Sequence, residues 1–254
     1  MAPFILRAVN TAADSENRIH DDRVAAEFGF RGGLVPGVTV YGYMAAPVIE
    51  YFGPAWLERG AMDVRFHRPI YHDDEVRVTL HPENDSHPEN HGRVRVEIGT
   101  CASALAWLDH DRAPPSAPAI ANLGDRKIPS RETLAAGAVL GTLNFGLDLA
   151  AATISAPLDP MTHGVAQPAV LLALANRIFV ENYQLGPWIH VASEVRKFHT
   201  VRHGDQLRVF GSIENRWERK GHEFVTLDVD IFGPNGPVEH IRQTAIWQPK
   251  AARS

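Results

Sequence analysis

The chain has 254 residues, 44% of them hydrophobic, which suits one large domain or two of roughly 125 residues and excludes a fibrous or disordered chain. Its 25 lysines and arginines against 30 aspartates and glutamates give a net charge of −5, so no surplus of cations exists to neutralise a phosphate backbone and nucleic acid is not the expected partner. A single cysteine, Cys101, excludes a disulfide framework and a multi-thiolate zinc site, and reads as a small apolar filler in a strand of a protein from a reducing compartment.

At the start of the chain Arg7 interrupts the apolar stretch before a secretory core could form, and nowhere does a run approach the ~18 apolar residues of a membrane span. A cytoplasmic protein without membrane contact is expected. Between residues 14 and 39 runs a polar loop, in which Asp21 or Asp22 can cap a short helix over 23–28 that Gly29 stops. A long helix follows. Val38, Tyr41, Gly42, Ala45, Val48, Ile49 and Phe52 fall at helical spacing, the other face is apolar too, and Gly53 supplies the stop. A helix apolar all round is a buried helix, and Pro47 is expected to kink it or cut it short. Strands are expected over 62–70, 75–80 and 93–108. The polar HPENDSHPENHG stretch (81–92) reads as a hairpin loop, because its prolines oppose the helix that would bring His87 and His91 together on a metal; no metal site is expected. Four prolines between His110 and Pro129 mark a linker or an extended crossover. Beyond it come a second apolar helix over 169–183 and strands over 193–201, 206–213, 224–232 and 238–247.

The chain reads as one unit written twice. Shifted by 131 residues, Val64–Val78 aligns without a gap on Val195–Val209, and six of the fifteen positions match: Val64/Val195, Arg65/Arg196, His72/His203, Asp74/Asp205, Arg77/Arg208 and Val78/Val209. Chance would give about one match, so a duplication is expected. The same shift pairs the two apolar helices and also Glu50 with Glu181, late in each. The units are residues 1–110 and 130–254, with 111–129 as the linker.

A strand, a buried helix and a run of antiparallel strands, present twice, resemble a double hot dog fold of the α+β class: two antiparallel sheets, each wrapped around a long buried helix and joined edge to edge. Within the first unit, DSENRIHDDRVAAEFGFRGGLVPGV (14–38) resembles the signature of MaoC-like (R)-specific enoyl-CoA hydratases and dehydratases. Asn17 and His20 stand in register, Gly29 and Phe30 follow the short helix, and Gly37 opens the long one. Two positions depart from that signature: Ser15 stands where the family has its catalytic Asp, and Pro36 where it has a His.

The resemblance implies reversible addition of water to a 2-enoyl thioester, the acyl group arriving on coenzyme A or a carrier protein, with no cofactor. His20 is then the acid/base and Asn17 its positioning partner. Ser15 cannot itself act as a general base at neutral pH, so Glu16, or Asp14, is the candidate replacement carboxylate. Gly37, at a helix N-terminus with unpaired N–H groups, is the candidate oxyanion donor. Pro36 and Val38 flank it as candidate substrate contacts, and Arg31 is a candidate contact for a phosphate. The second unit holds only a fainter echo in Asp159 and His163, so it is expected to be non-catalytic and to shape the pocket. Alternatives are a hot dog thioesterase, for which Glu50 or Glu181 would have to enter the pocket, and a non-catalytic acyl-thioester binding protein. A tandem hot dog satisfies its own pairing, so a monomeric pseudo-dimer and a homodimer are both compatible with it.

Overall fold

A computed structural model of the chain describes residues 2–83, 92–150 and 164–252. Among these residues ten strands form one antiparallel sheet: β1 (Phe4–Arg7), β2 (Gly60–Phe66), β3 (Glu75–Glu83), β4 (Arg93–Ile98), β5 (Ala102–Leu108), β6 (Leu143–Gly146), β7 (Ile189–Lys197), β8 (Gln206–Arg219), β9 (His222–Gly233) and β10 (Gly236–Gln248). Their spatial order is β1-β3-β4-β5-β2-β7-β10-β9-β8-β6. Read from either edge the order is the same once the second five are matched to the first, which is the arrangement a duplication produces.

The seam between β2 and β7 carries the symmetry in its register. Ala61 pairs with Arg196 and Arg65 with Ala192, Met62 with Val195 and Val64 with Ser193, while Asp63 pairs with Glu194. Adding 131 to one member of each pair gives its image, so the twofold relation passes through Asp63–Glu194. The matched turn residues do the same work in both halves. Asp74 accepts from the Tyr71 amide at 3.0 Å and Asp205 from the Arg202 amide at 2.8 Å. His72 Nδ1 accepts from the Asn10 amide at 3.3 Å and His203 Nδ1 from the Leu149 amide at 3.2 Å. The repeated histidine and aspartate are therefore turn anchors.

Two long helices, α2 (Gly37–Phe52) and α4 (Pro168–Asn182), pack on the sheet and against each other. Two short ones, α1 (Asp22–Glu27) and α3 (Ala55–Arg59), precede and follow α2. Every residue of α2 from Val38 to Val48 is buried, including Tyr41, Tyr43 and Met44. The helix runs through Pro47 to Phe52 without a break. Burial on all sides holds its course against the missing donor, a cost of about 3 kcal/mol. The expected single strand over 93–108 is instead the hairpin β4–β5, since Gly99 takes a left-handed φ of 46° and turns the chain. Cys101 consequently lies in that turn and not in a strand. Residues 111–126 have no helix or strand, and Lys127 bridges to Tyr183 at the end of α4.

Candidate active site

Asp21 caps α1 as expected, its carboxylate accepting from the Arg23 and Val24 amides at 3.0 and 3.1 Å. Just before it, Arg18–His20 form a single 3-10 turn capped by Asn17. The segment that returns past this turn lies so close that a Cβ on Gly33 would stand 1.9 Å from the His20 carbonyl oxygen, a contact only glycine permits. The close approach brings the Leu34 carbonyl to His20 Nδ1 at 2.6 Å. A carbonyl only accepts, so Nδ1 carries the proton and Nε2 presents its lone pair. Burial lowers the His20 pKa, outweighing the Leu34 bond that works the other way, and the ring is neutral at pH 7.

Asn17 ties this loop to the other half. Its Nδ2 donates to the Trp188 carbonyl at 3.0 Å, its Oδ1 accepts from the Trp188 amide at 3.1 Å, and Nδ2 stands 3.4 Å from His20 Nε2. Asn17, His20, Pro36 and Gly37 line one cavity of about 410 Å³, together with apolar side chains such as Phe28, Val40 and Ile70. Gly37 is the first residue of α2, and no side chain caps that helix; the Thr39 and Val40 amides bond the Pro36 carbonyl at 2.9 and 3.1 Å, which leaves the Gly37 and Val38 amides without a partner within the helix, at the positive end of its dipole.

Five of the residues expected at the site stand elsewhere. Ser15 donates to the Asn17 carbonyl at 3.4 Å, outside the cavity wall. Glu16 is exposed and pairs with Arg126, and Asp14 is exposed. Arg31 pairs with Asp74 and stacks over the Tyr71 ring at 4.1 Å, so its charge is already engaged away from the wall. Val38 is buried in the core and takes no part in the lining. Neither helical carboxylate enters the cavity: Glu50 is exposed, and Glu181 lies 3.6 Å from Arg177. Among the described residues the cavity wall holds no Asp or Glu, and no cluster of His, Cys, Asp and Glu suits a metal. His87, His91, Asp159 and His163 lie outside the described residues.

One wall residue escaped the sequence reading. His190 on β7 is buried, lines the cavity and lies edge-on to Phe66. Its Nε2 bonds the Ser193 hydroxyl at 2.7 Å, while Nδ1 has no hydrogen-bond partner. Burial pushes its pKa down to about 4. A Cβ on Gly37 would meet His190 Nδ1 at 2.9 Å, so glycine at the helix start makes room for this ring. Alternation along β7 buries Ser193, Val195 and Lys197, which would turn His190 outward; instead Thr244 pairs with Ala192 and Ala245 with His190, leaving Val191 as an extra residue. That bulge shifts the phase and turns His190 inward.

No sequence-family profile and no curated protein matches the chain. Solved structures do. A conserved hypothetical protein from Mycobacterium tuberculosis with a double hot dog fold is 16% identical and superposes with a TM-score of 0.59 over 97% of this chain and 96% of its own. A MaoC domain protein from Chloroflexus aurantiacus, assigned as a dehydratase, gives 0.59 at 10% identity, covering 100% and 95%. This chain is a double hot dog. A Lactobacillus plantarum protein assigned as an oleoyl thioesterase shares the same fold at a TM-score of 0.57 and 9% identity, covering 99% and 97%. At such identities the double hot dog fold is what these proteins have in common with the chain, and chemistry must come from its own residues.

Proposed function

We propose that the chain is a hydratase or dehydratase acting on 2-enoyl thioesters, carried on coenzyme A or a carrier protein. The observation that supports this reading is the orientation of His20: Nδ1–H is spent on the Leu34 carbonyl, which leaves a neutral Nε2 base in the cavity that Gly37 opens. In the hydration direction, Nε2 takes a proton from water as the water oxygen bonds to the β carbon. Electron density moves to the thioester oxygen, which accepts from the Gly37 amide, and the imidazolium returns the proton to the α carbon. With no carboxylate on the wall among the described residues, one imidazole performs both transfers.

The second half lacks the matching donor. Pro168, the image of Gly37, has no N–H, and Lys197, the image of Phe66, is buried in an ion pair with Glu239. The division into a catalytic unit 1–110 and a supporting unit 130–254, joined by 111–129, belongs to the same proposal. So does a cytoplasmic location; among the described residues no helix is long and apolar enough to cross a membrane.

The test is a spectrophotometric assay of straight, branched and aromatic 2-enoyl-CoA substrates with the purified protein and with His20→Gln. Loss of conjugated-thioester absorbance by the wild type, reduced by a factor of roughly 10² or more in the variant, supports the reading. The bare wall favours a second reading, an acyl-thioester binding protein. Saturable binding of the same thioesters with no turnover would replace the first reading by this one.

A further inference from the structure

We propose that His190, from the second half, is a second hydrogen-bond donor to the thioester oxygen, its Nδ1–H acting beside the Gly37 amide. Two independent features converge at that point of the wall. The helix α2 begins there, sixteen residues long and without a side-chain cap, and the His190 ring is packed against its first residue, with Nδ1 2.9 Å from the position of a Gly37 Cβ. Nδ1 is also the one polar atom of this buried ring that no protein group satisfies. A buried unsatisfied polar atom costs about 1–3 kcal/mol, and the cost is relieved when a ligand oxygen arrives.

In this proposal Ser193 is the donor in its bond with His190. This hydroxyl is buried on the same strand and lies 2.7 Å from His190 Nε2. When Ser193 donates, Nε2 accepts and the proton of the neutral ring resides on Nδ1. Burial keeps the ring uncharged, with a pKa near 4, so it donates as imidazole and not as imidazolium. A neutral imidazole of lowered pKa near a helix N-terminus is an established way to polarise a carbonyl. In the reaction His190 neither gains nor loses a proton. The bond from water oxygen to the β carbon forms as His20 takes the water proton, the carbon–carbon π pair shifts to the bond between the α and carbonyl carbons, and the carbonyl π pair moves onto the oxygen. That oxygen accepts from Gly37 N–H and His190 Nδ1–H until the carbonyl re-forms and the α carbon takes the proton back from His20. Ser193 acts through His190 and is a positioning residue. The β7 bulge at Val191 is what delivers the ring to the wall.

The reaction step rests on the hydratase reading, but the donor itself can be tested without turnover. The full chain labelled with ¹⁵N-histidine is titrated with butanoyl-CoA, a saturated thioester that cannot be hydrated. Expected are an Nδ1–H tautomer for His190 at neutral pH and a change of its Nδ1 and Hδ1 resonances on saturation. An Nε2–H tautomer, or resonances unmoved at saturating butanoyl-CoA, overturns the proposal. In the enoyl-CoA assay, His190→Phe keeps a ring in place and should lower kcat by a factor of about 10² while KM changes little, the pattern of a donor used in the transition state. Ser193→Ala should give a smaller fall in kcat of the same kind. Unchanged kcat in His190→Phe overturns the proposal while leaving the hydratase reading intact; a His190 response to butanoyl-CoA in a protein inert on every enoyl-CoA supports the donor and rejects the hydratase.

Discussion

At His20 the two ring nitrogens have different tasks, and the division is set by the backbone. Nδ1 is held by the Leu34 carbonyl, and that hold depends on Gly33, beside which the chain passes at contact distance. Gly33→Ala should push the returning segment away from His20 and reduce both turnover and thermal stability, measured by kcat and by the melting temperature. In the proposed hydratase reading, the lowered pKa of His20 means the base is ready at neutral pH. The pH profile of kcat/KM should therefore be flat through neutrality and fall only in acid, below the usual imidazole range. Because Glu16 is committed to Arg126, Glu16→Gln should leave kcat within a few-fold of wild type. Because the Ser15 side chain is turned to the Asn17 carbonyl outside the cavity wall, Ser15→Asp should likewise leave turnover near the wild-type value. His20, Asn17 and Gly37 were legible in the sequence since each sits at a fixed distance along one loop and the helix it feeds. The engagement of Glu16 with a residue 110 positions away has no local signal.

Strands and helices were read well wherever periodicity alone decides. The predicted helix over 38–52 lies within α2 with one residue to spare, and the repeated turn residues marked the equivalent strands. Where an element's phase is set by its neighbour, the sequence is silent: the bulge that turns His190 inward arises from the pairing of β7 with β10, and no alternation pattern reveals it. Shifting His190 back by 131 gives Arg59, so the repeat offers no hint either. The same two strands hold the buried pair Lys197–Glu239, whose side chains are 2% and 1% exposed. Burial raises the Glu239 pKa despite the attraction of Lys197, which marks a pair that costs much of what it returns. Glu239→Leu alone should destabilise the fold by about 3–5 kcal/mol by stranding the lysine, and Lys197→Met with Glu239→Leu should recover most of the loss. Urea denaturation of the two variants checks this.

Over the whole molecule, two copies share one sheet, and the site draws on both. The loop, His20 and Gly37 come from the first, while the second supplies His190 and the Trp188 backbone that clamps Asn17. The burial of His190 should also shape stability. Its usual pKa of 6.5 falls to about 4 in the fold, so between those values the unfolded chain binds the extra proton. This contribution is complete above pH 6.5 and is lost as pH falls toward 4, amounting to about 3 kcal/mol. Denaturation at pH 7.5 and 5 should show the loss in the wild type and a smaller one in His190→Phe.

The most direct measurement separates the two bonds a thioester site could act on. Purified protein is incubated with 2-butenoyl-CoA and its longer and aromatic analogues, and 3-hydroxyacyl-CoA and free thiol are quantified side by side, wild type against His20→Gln. Formation of 3-hydroxyacyl-CoA without release of thiol, dependent on His20, is the predicted result. Stoichiometric thiol release, or no product from any member of the series, would contradict it.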